Sequence, residues 1–210
     1  MRDYYTSCTV FYGANMNIDR ELANRALGAV GQSALMAGDT SSKSYLLIKK
    51  WYVSTMNESL EMIPWTSARK RQALVKAAVE NYSDYSLVYN LPVDCVKIIS
   101  LGDNGFYIVE GRFLYTDTND AILIYNTNGK VEAGDEIDTD DFPDYKPPVY
   151  EAMFYRSFEL RLASKIALEL SGEHGLYQML LQEAMIVEEA AYRNTKTQSA
   201  GKKRGNDWWV

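Results

Sequence analysis

The feature that most constrains this chain is a double change of hydrophobic period. Apolar residues recur every three or four positions up to residue 63, at every second position through much of the middle third, and every three or four again after residue 150. Side chains share a face at steps of about 3.6 in a helix and 2 in a strand, so neither pattern can bury its apolar set in the other geometry. The chain is therefore predicted to be helical towards both ends and β-rich between.

The first helix is read in NIDRELANRALGAVG. Asn17 is placed to cap it, Asp19 and Glu21 suit the positive end of the helix dipole, and Gly31 closes it. Its stripe is Ile18, Leu22, Ala26 and Val30. A second helix is predicted from near Ser42 to Ile63, stopped by Pro64, with Tyr45, Ile48, Tyr52, Met56, Leu60 and Ile63 on one side. A third carries Phe154, Phe158, Leu162, Ile166 and Leu170, flanked by Ala163 and Ala167, and ends at Gly172. Arg156, Arg161, Lys165 and Glu169 are assigned to its wet faces. The fourth places Leu176, Leu180, Ala184, Val187 and Ala191 together, and the short GEHG link makes these last two helices antiparallel neighbours.

Between them, Tyr85, Leu87, Tyr89 and Leu91 alternate as in a half-buried strand. CVKIISL, the turn Asp103-Asn104-Gly105, FYIVEGRFLYT, the turn at 117–120 and AILIY follow, a series predicting an antiparallel meander. PWTSARKRQALVKAAVENYSD reads equally as helix or extended crossing. The predicted class is α+β: a helical bundle formed by N- and C-terminal helix pairs, with an inserted antiparallel β domain. The expected segments are an N-terminal extension plus helix pair (1–82), the β domain (83–128), an acidic loop (129–148), the second helix pair (149–196) and a flexible docking tail (197–210).

Chemistry is harder to find. The one histidine, His174, lies in a polar interhelix link and has no triad or metal partners nearby in sequence. P-loop, GxGxxG, HExxH and CxxC patterns are missing, and Cys8 and Cys95 read as separate free thiols. In the acidic loop, Asp135, Asp138, Asp140 and Asp141 lack the glycine and closing glutamate of an EF-hand. No catalytic residue, cofactor or metal site is assigned. With 22 basic and 28 acidic residues the net charge is −6, which disfavours a nucleic-acid-binding surface spread over the fold. Arg69, Lys70 and Arg71, with Lys76, form the basic cluster that could touch DNA or a subunit; a solvated basic face is the plainer reading. No run is apolar enough to cross a membrane and no signal peptide is evident, so an intracellular soluble product is expected. The 16 tyrosines favour an assembly.

Taken in order, ANRALGAVGQ, IPWTSARKRQAL, YSLVYNLPVDCVKIISL, YIVEGRFLYTDTNDAILIY and FYRSFELRLASKIALELSG resemble the tail tubular protein A family. These are the adaptor or gatekeeper proteins of short-tailed bacteriophages, and the resemblance spans roughly residues 18 to 192. It implies a structural head-to-tail connector. Such proteins form rings, commonly of twelve subunits, that bridge the portal protein to the tail nozzle protein. DNA passes through the bore without sequence-specific binding. Location in the virion neck, after assembly in the bacterial cytoplasm, follows from the same resemblance, and the family brings no catalytic residues. Residues 1 to 14 and the acidic loop depart from its pattern. Another neck or head-completion protein, or a nucleic-acid-binding module, are the alternatives.

The last nine residues, KKRGNDWWV, place Lys202, Lys203, Arg204, Trp208, Trp209 and Val210 after a polar run in which no folded element is expected. Two tryptophans burying about 150–250 Å² each represent a gross gain near 8–12 kcal/mol. Ordering nine residues costs on the order of 9–18 kcal/mol. One tail binds weakly alone, but many copies on one ring would act together. A docking peptide for the portal or a neighbouring subunit is the expectation. Packing of the tryptophans on their own domain is the alternative.

Overall fold

The computed structural model describes residues 19–102, 104–128 and 150–200. Among these are four helices and seven strands, an α+β protein that divides into two compact units. One is helical and formed by residues 19–67 and 150–200; the other is β and formed by residues 68–128.

In the helical unit, α1 spans Arg20–Ala29 and α2 spans Lys43–Met62. The cap of α1 is Asp19, whose Oδ1 accepts from the Glu21 and Leu22 amides at 2.8 and 3.2 Å. That corrects the expectation of Asn17, which lies outside the described residues. Gly31 (φ 69°) closes α1: its amide donates to Gly28 and that of Gln32 to Leu27, a pairing that satisfies two end carbonyls. Ser42 caps α2 as predicted, accepting from the Tyr45 amide at 3.1 Å. After Pro64, Trp65 is fully buried. Its indole donates to the Ser59 carbonyl at 2.7 Å, and its ring meets Phe154 edge-on at 5.3 Å.

Helix α3 (Ala152–Ser171) packs on α1, α2 and the last helix, α4 (His174–Ala200). A helix with three neighbours must be apolar over a wide arc. Phe154, Phe158, Leu160, Leu162, Ala163, Ile166 and Ala167 are all buried, each large one contributing about 1.5–3 kcal/mol. Gly172 (φ 67°) ends α3 as expected. Helix α4 continues through residues 197–200, so the tail boundary expected at residue 197 is corrected. Thr195 is buried against α4's own turn, donating to the Ala191 carbonyl at 3.0 Å, and Lys196 lies over the Tyr192 ring.

The β unit begins earlier than predicted. The boundary expected at 82/83 falls at 67/68, because the ambiguous stretch is extended: β1 is Arg69–Ala73 and β2 is Val75–Lys76. The remaining strands are β3 (Leu87–Asn90), β4 (Cys95–Leu101), β5 (Tyr107–Glu110), β6 (Phe113–Thr116) and β7 (Ile122–Thr127). They form two antiparallel sheets, ordered β1-β7-β4 and β2-β3-β6-β5. The chain changes sheet at Leu74, whose amide donates to Ala121 at 2.8 Å. Tyr89, Leu114, Leu101, Leu123 and Tyr125, from both sheets, share one core. The expected meander is thus corrected in two places. β4 pairs with β7 rather than with its successor, and FYIVEGRFLYT is a hairpin rather than one strand. Gly111 (φ 61°) takes the first position of a two-residue loop, the glycine site of a type II′ turn.

Candidate functional site

The α3–α4 hairpin presents the most pronounced candidate. Helix α4 buries Leu180, Ala184, Glu188, Ala191 and Thr195, a stripe at steps of three and four. Glu188 is the unexpected member; Val187, predicted in its place, is only half-buried. Its carboxylate is 7% exposed and accepts from Ser157 Oγ at 2.6 Å. The Arg161 guanidinium, 12% exposed, grips it through Nε at 2.5 Å and Nη2 at 2.8 Å. The hydrogen bonds the guanidinium donates to Glu188 raise the arginine's pKa, and this outweighs burial, which alone would lower it. This two-pronged pair fixes the rotation of α4 on α3, since a slip of one residue would strand two charges in the interior. Arg161 is therefore not on a wet face.

Lys165 is also largely enclosed, with Nζ 2.6 Å from Glu58 of α2 and 5.1 Å from the Trp51 ring centroid. Across the same helices, Glu169 accepts from Lys50 and the Trp51 indole at 2.5 and 2.7 Å. The Lys50 bond is the main cause that holds the Glu169 carboxyl below its ordinary range. On the other side, Arg25 of α1 reaches Glu159 at 3.1 Å. Each helix is thus cross-linked to α3 by at least one ion pair.

What α4 leaves outside is unusual. Met179, Met185, Ile186 and Tyr192 are exposed, Ile186 by 61%. At 100° per residue, Met185 and Tyr192 form one strip and Met179 and Ile186 another, about 120° away around the helix. Gln182, Glu189 and Arg193 make a polar ridge between them, the last two paired at 2.5 Å. Apolar side chains on a surface helix whose main packing partner is α3 mark a face suited to other protein. These residues escape simple periodicity because it assigns apolar residues to the core; the available signal was their displacement from the Leu180–Ala184–Ala191 stripe.

The basic cluster is dispersed by its strand. Lys70 Nζ is bonded to Asp94 at 2.9 Å, Arg69 is half-buried, and Arg71 is exposed. Asp94 also accepts from Tyr125 OH at 2.9 Å and Thr127 Oγ1 at 2.8 Å. Burial would raise the Asp94 pKa, yet these three bonds and the lysine charge together hold it below the usual carboxylate range. The cluster therefore does not present three adjacent cations to a partner. His174 is exposed as the first residue of α4, and Cys95 is buried. Lys202, Lys203, Arg204, Trp208, Trp209 and Val210, like Cys8 and the acidic loop 129–148, lie outside the described residues. Among the described residues, no group of three or more histidine, cysteine or acidic side chains could hold a metal ion. No helix there is long and apolar enough to cross a membrane.

Comparison with known proteins finds no matching family model and no matching curated sequence.

Proposed function

We propose that this protein is a head-to-tail connector of a short-tailed bacteriophage, an adaptor ring between portal and tail nozzle. The observation that carries the reading is the pair of apolar strips on α4, held at a fixed rotation by Arg161 and Glu188. A ring closed by rotation uses heterologous interfaces, so each subunit needs two different faces. A helix with two distinct apolar strips divided by a polar ridge suits that demand. The resemblance of the ordered segments from ANRALGAVGQ to FYRSFELRLASKIALELSG to the tail tubular protein A family supports it separately.

In this reading the net charge of −6 helps DNA transit, because each phosphate neutralised by the bore would add salt-dependent affinity and friction. The basic, tryptophan-bearing end from Lys202 to Val210 serves as a docking peptide for the portal or the adjacent subunit. The test is complementation in vitro. DNA-filled, tail-less heads of the phage that encodes the chain are mixed with purified protein and viewed by electron microscopy. A ring of density beneath the portal is expected. Heads that stay bare at saturating protein overturn the reading.

A further inference from the structure

We propose that the β unit binds a second copy of the chain through two unlike faces: an acidic end that carries Tyr82 and Phe106, and the basic β1–β2 edge that carries Arg71, Val75 and Lys76. This rests on the ring reading and supplies its β-unit contact. The acidic end is assembled by register. Leu87 of β3 pairs with Thr116 of β6, and Thr116 with Tyr107 of β5, so the start of β3, the end of β6 and the start of β5 lie side by side. Ser86 ties the β2–β3 loop to the turn after β6, its amide and hydroxyl each donating to Asp117 Oδ1 at 2.8 Å. Thr116 Oγ1 donates to the Phe106 carbonyl at 2.8 Å. The loop that leads into Ser86 is braced by Asn81, which accepts from the Ser83 amide and hydroxyl at 3.0 and 2.7 Å, and it displays Tyr82. Tyr82 and Phe106 are each 88% exposed.

Charge divides the unit sharply. Residues 77–90 and 113–128 contain four acids, Glu80, Asp84, Asp117 and Asp120, and no lysine or arginine. Residues 69–76, RKRQALVK, contain four bases and no acid. There Arg71, Ala73 and Val75 recur at steps of two and are exposed, while Leu74 is buried. Val75 is 69% exposed, and Lys76 beside it is exposed too. Among the described residues, no ion pair joins any of the four acids to a base, or Arg71 or Lys76 to an acid. Two faces of opposite charge, each with apolar surface, are thus left uncompensated on one unit.

Each face suits the other. Aromatic rings pack on Val75 and on the aliphatic stems of Arg71 and Lys76, and a guanidinium over a ring adds cation–π attraction. Rim charges of opposite sign fix orientation and speed encounter more than they add affinity. DNA would answer the basic edge alone, and a basic protein the acidic end alone. A second copy answers both. Because the two faces are unlike, the contact is heterologous, the kind from which rotation builds a ring.

The experiment is sedimentation velocity on the full chain over a concentration series at low salt. Two variants each reverse one face: Glu80→Lys with Asp84→Lys, and Arg71→Glu with Lys76→Glu. A third, Tyr82→Ala with Phe106→Ala, removes the aromatic anchors. The wild type is expected to self-associate, less so at high salt. Each variant alone should associate more weakly, by roughly ten-fold or more. An equimolar mixture of the two charge variants should recover the wild-type affinity, because one keeps an intact basic edge and the other an intact acidic end. All the substituted side chains are exposed, and circular dichroism checks that the variants fold. If the first charge variant fails to fold, the aromatic variant replaces it in the mixture; if the second fails, Lys76→Glu alone replaces it. A monomeric wild type, variants that associate as strongly as the wild type, or a mixture no stronger than its components overturns the proposal. So does weakening confined to the Arg71 and Lys76 variant, which gives the basic edge to another acidic partner. A chain that associates in this way yet leaves heads bare keeps the contact and overturns the connector reading; a ring beneath the portal, with variants that associate like the wild type, does the reverse.

Discussion

Replacing Glu188 by alanine would test whether the α3–α4 register rests on one buried pair. The substitution removes the acceptor of three hydrogen bonds, from Ser157 Oγ and from Arg161 Nε and Nη2. It also leaves the guanidinium, 12% exposed, without its buried counter-charge. Removing one member of a buried pair costs about 3–5 kcal/mol, because the desolvation of the other is no longer offset. With a urea m-value of about 2 kcal/mol/M, the unfolding midpoint of the helical unit should fall by about 2 M. The informative comparison is Arg161→Met with Glu188→Leu. Replacing both charges with apolar groups of similar volume is often neutral or better, so most of the lost stability should return. Urea denaturation followed by far-ultraviolet circular dichroism reads both variants. A double variant as unstable as Glu188→Ala, or a single variant costing under 1 kcal/mol, would refute the reasoning.

Asp94→Asn should destabilise the β unit by about 2 kcal/mol at neutral pH, since a charged acceptor of three bonds becomes a neutral one and half-exposed Lys70 adds little. Because the folded pKa of Asp94 is depressed, its contribution is fully present above the unfolded value near 3.9 and is lost as pH falls through the folded one. Denaturation at stepped pH should therefore show a flatter acid limb in the variant; parallel limbs would exclude that role. Gly111→Ala meets no atom within 4 Å, so its cost should be the left-handed backbone alone, about 1–2 kcal/mol by thermal or urea unfolding. Deleting residues 202–210 should leave the folded body unchanged but weaken attachment to portal-bearing heads; undiminished attachment sinks the docking-peptide assignment.

The helices were legible because their information is local. Ser42 as a cap, Pro64 as a stop and Gly172 as a left-handed terminator each act within one turn, and the α3 stripe recurs in the buried set. β1 was not legible, since RKRQA has ordinary helix formers and becomes a strand only by pairing residue for residue with β7 from Arg69–Asn126 to Ala73–Ile122. The hairpin at Gly111 could have been read, as glycine inside an alternating run signals a break. Nothing local tells Arg161 from a solvated arginine; its partner stands 27 residues away and is recognisable only once Leu180, Ala184 and Ala191 define the buried stripe on which Glu188 falls. The α4 strips were hidden for the converse reason, that apolar residues on a predicted helix are assigned to a core.

The helical unit is assembled from residues on both sides of the β unit, and this orders events during synthesis. Residues 68–128 leave the ribosome as one uninterrupted block able to close its own core, while α1 and α2 must wait for α3, as the Arg25–Glu159 contact across 134 positions illustrates. α4 follows the whole β unit and α3 in the chain. The apolar strips around Met185 and Ile186 therefore cannot exist as a formed surface until α3 and α4 have both followed the β unit out of the ribosome. Until Glu188 is made, the Arg161 guanidinium lacks its carboxylate, so the strips and the ion pair that orients them arise together.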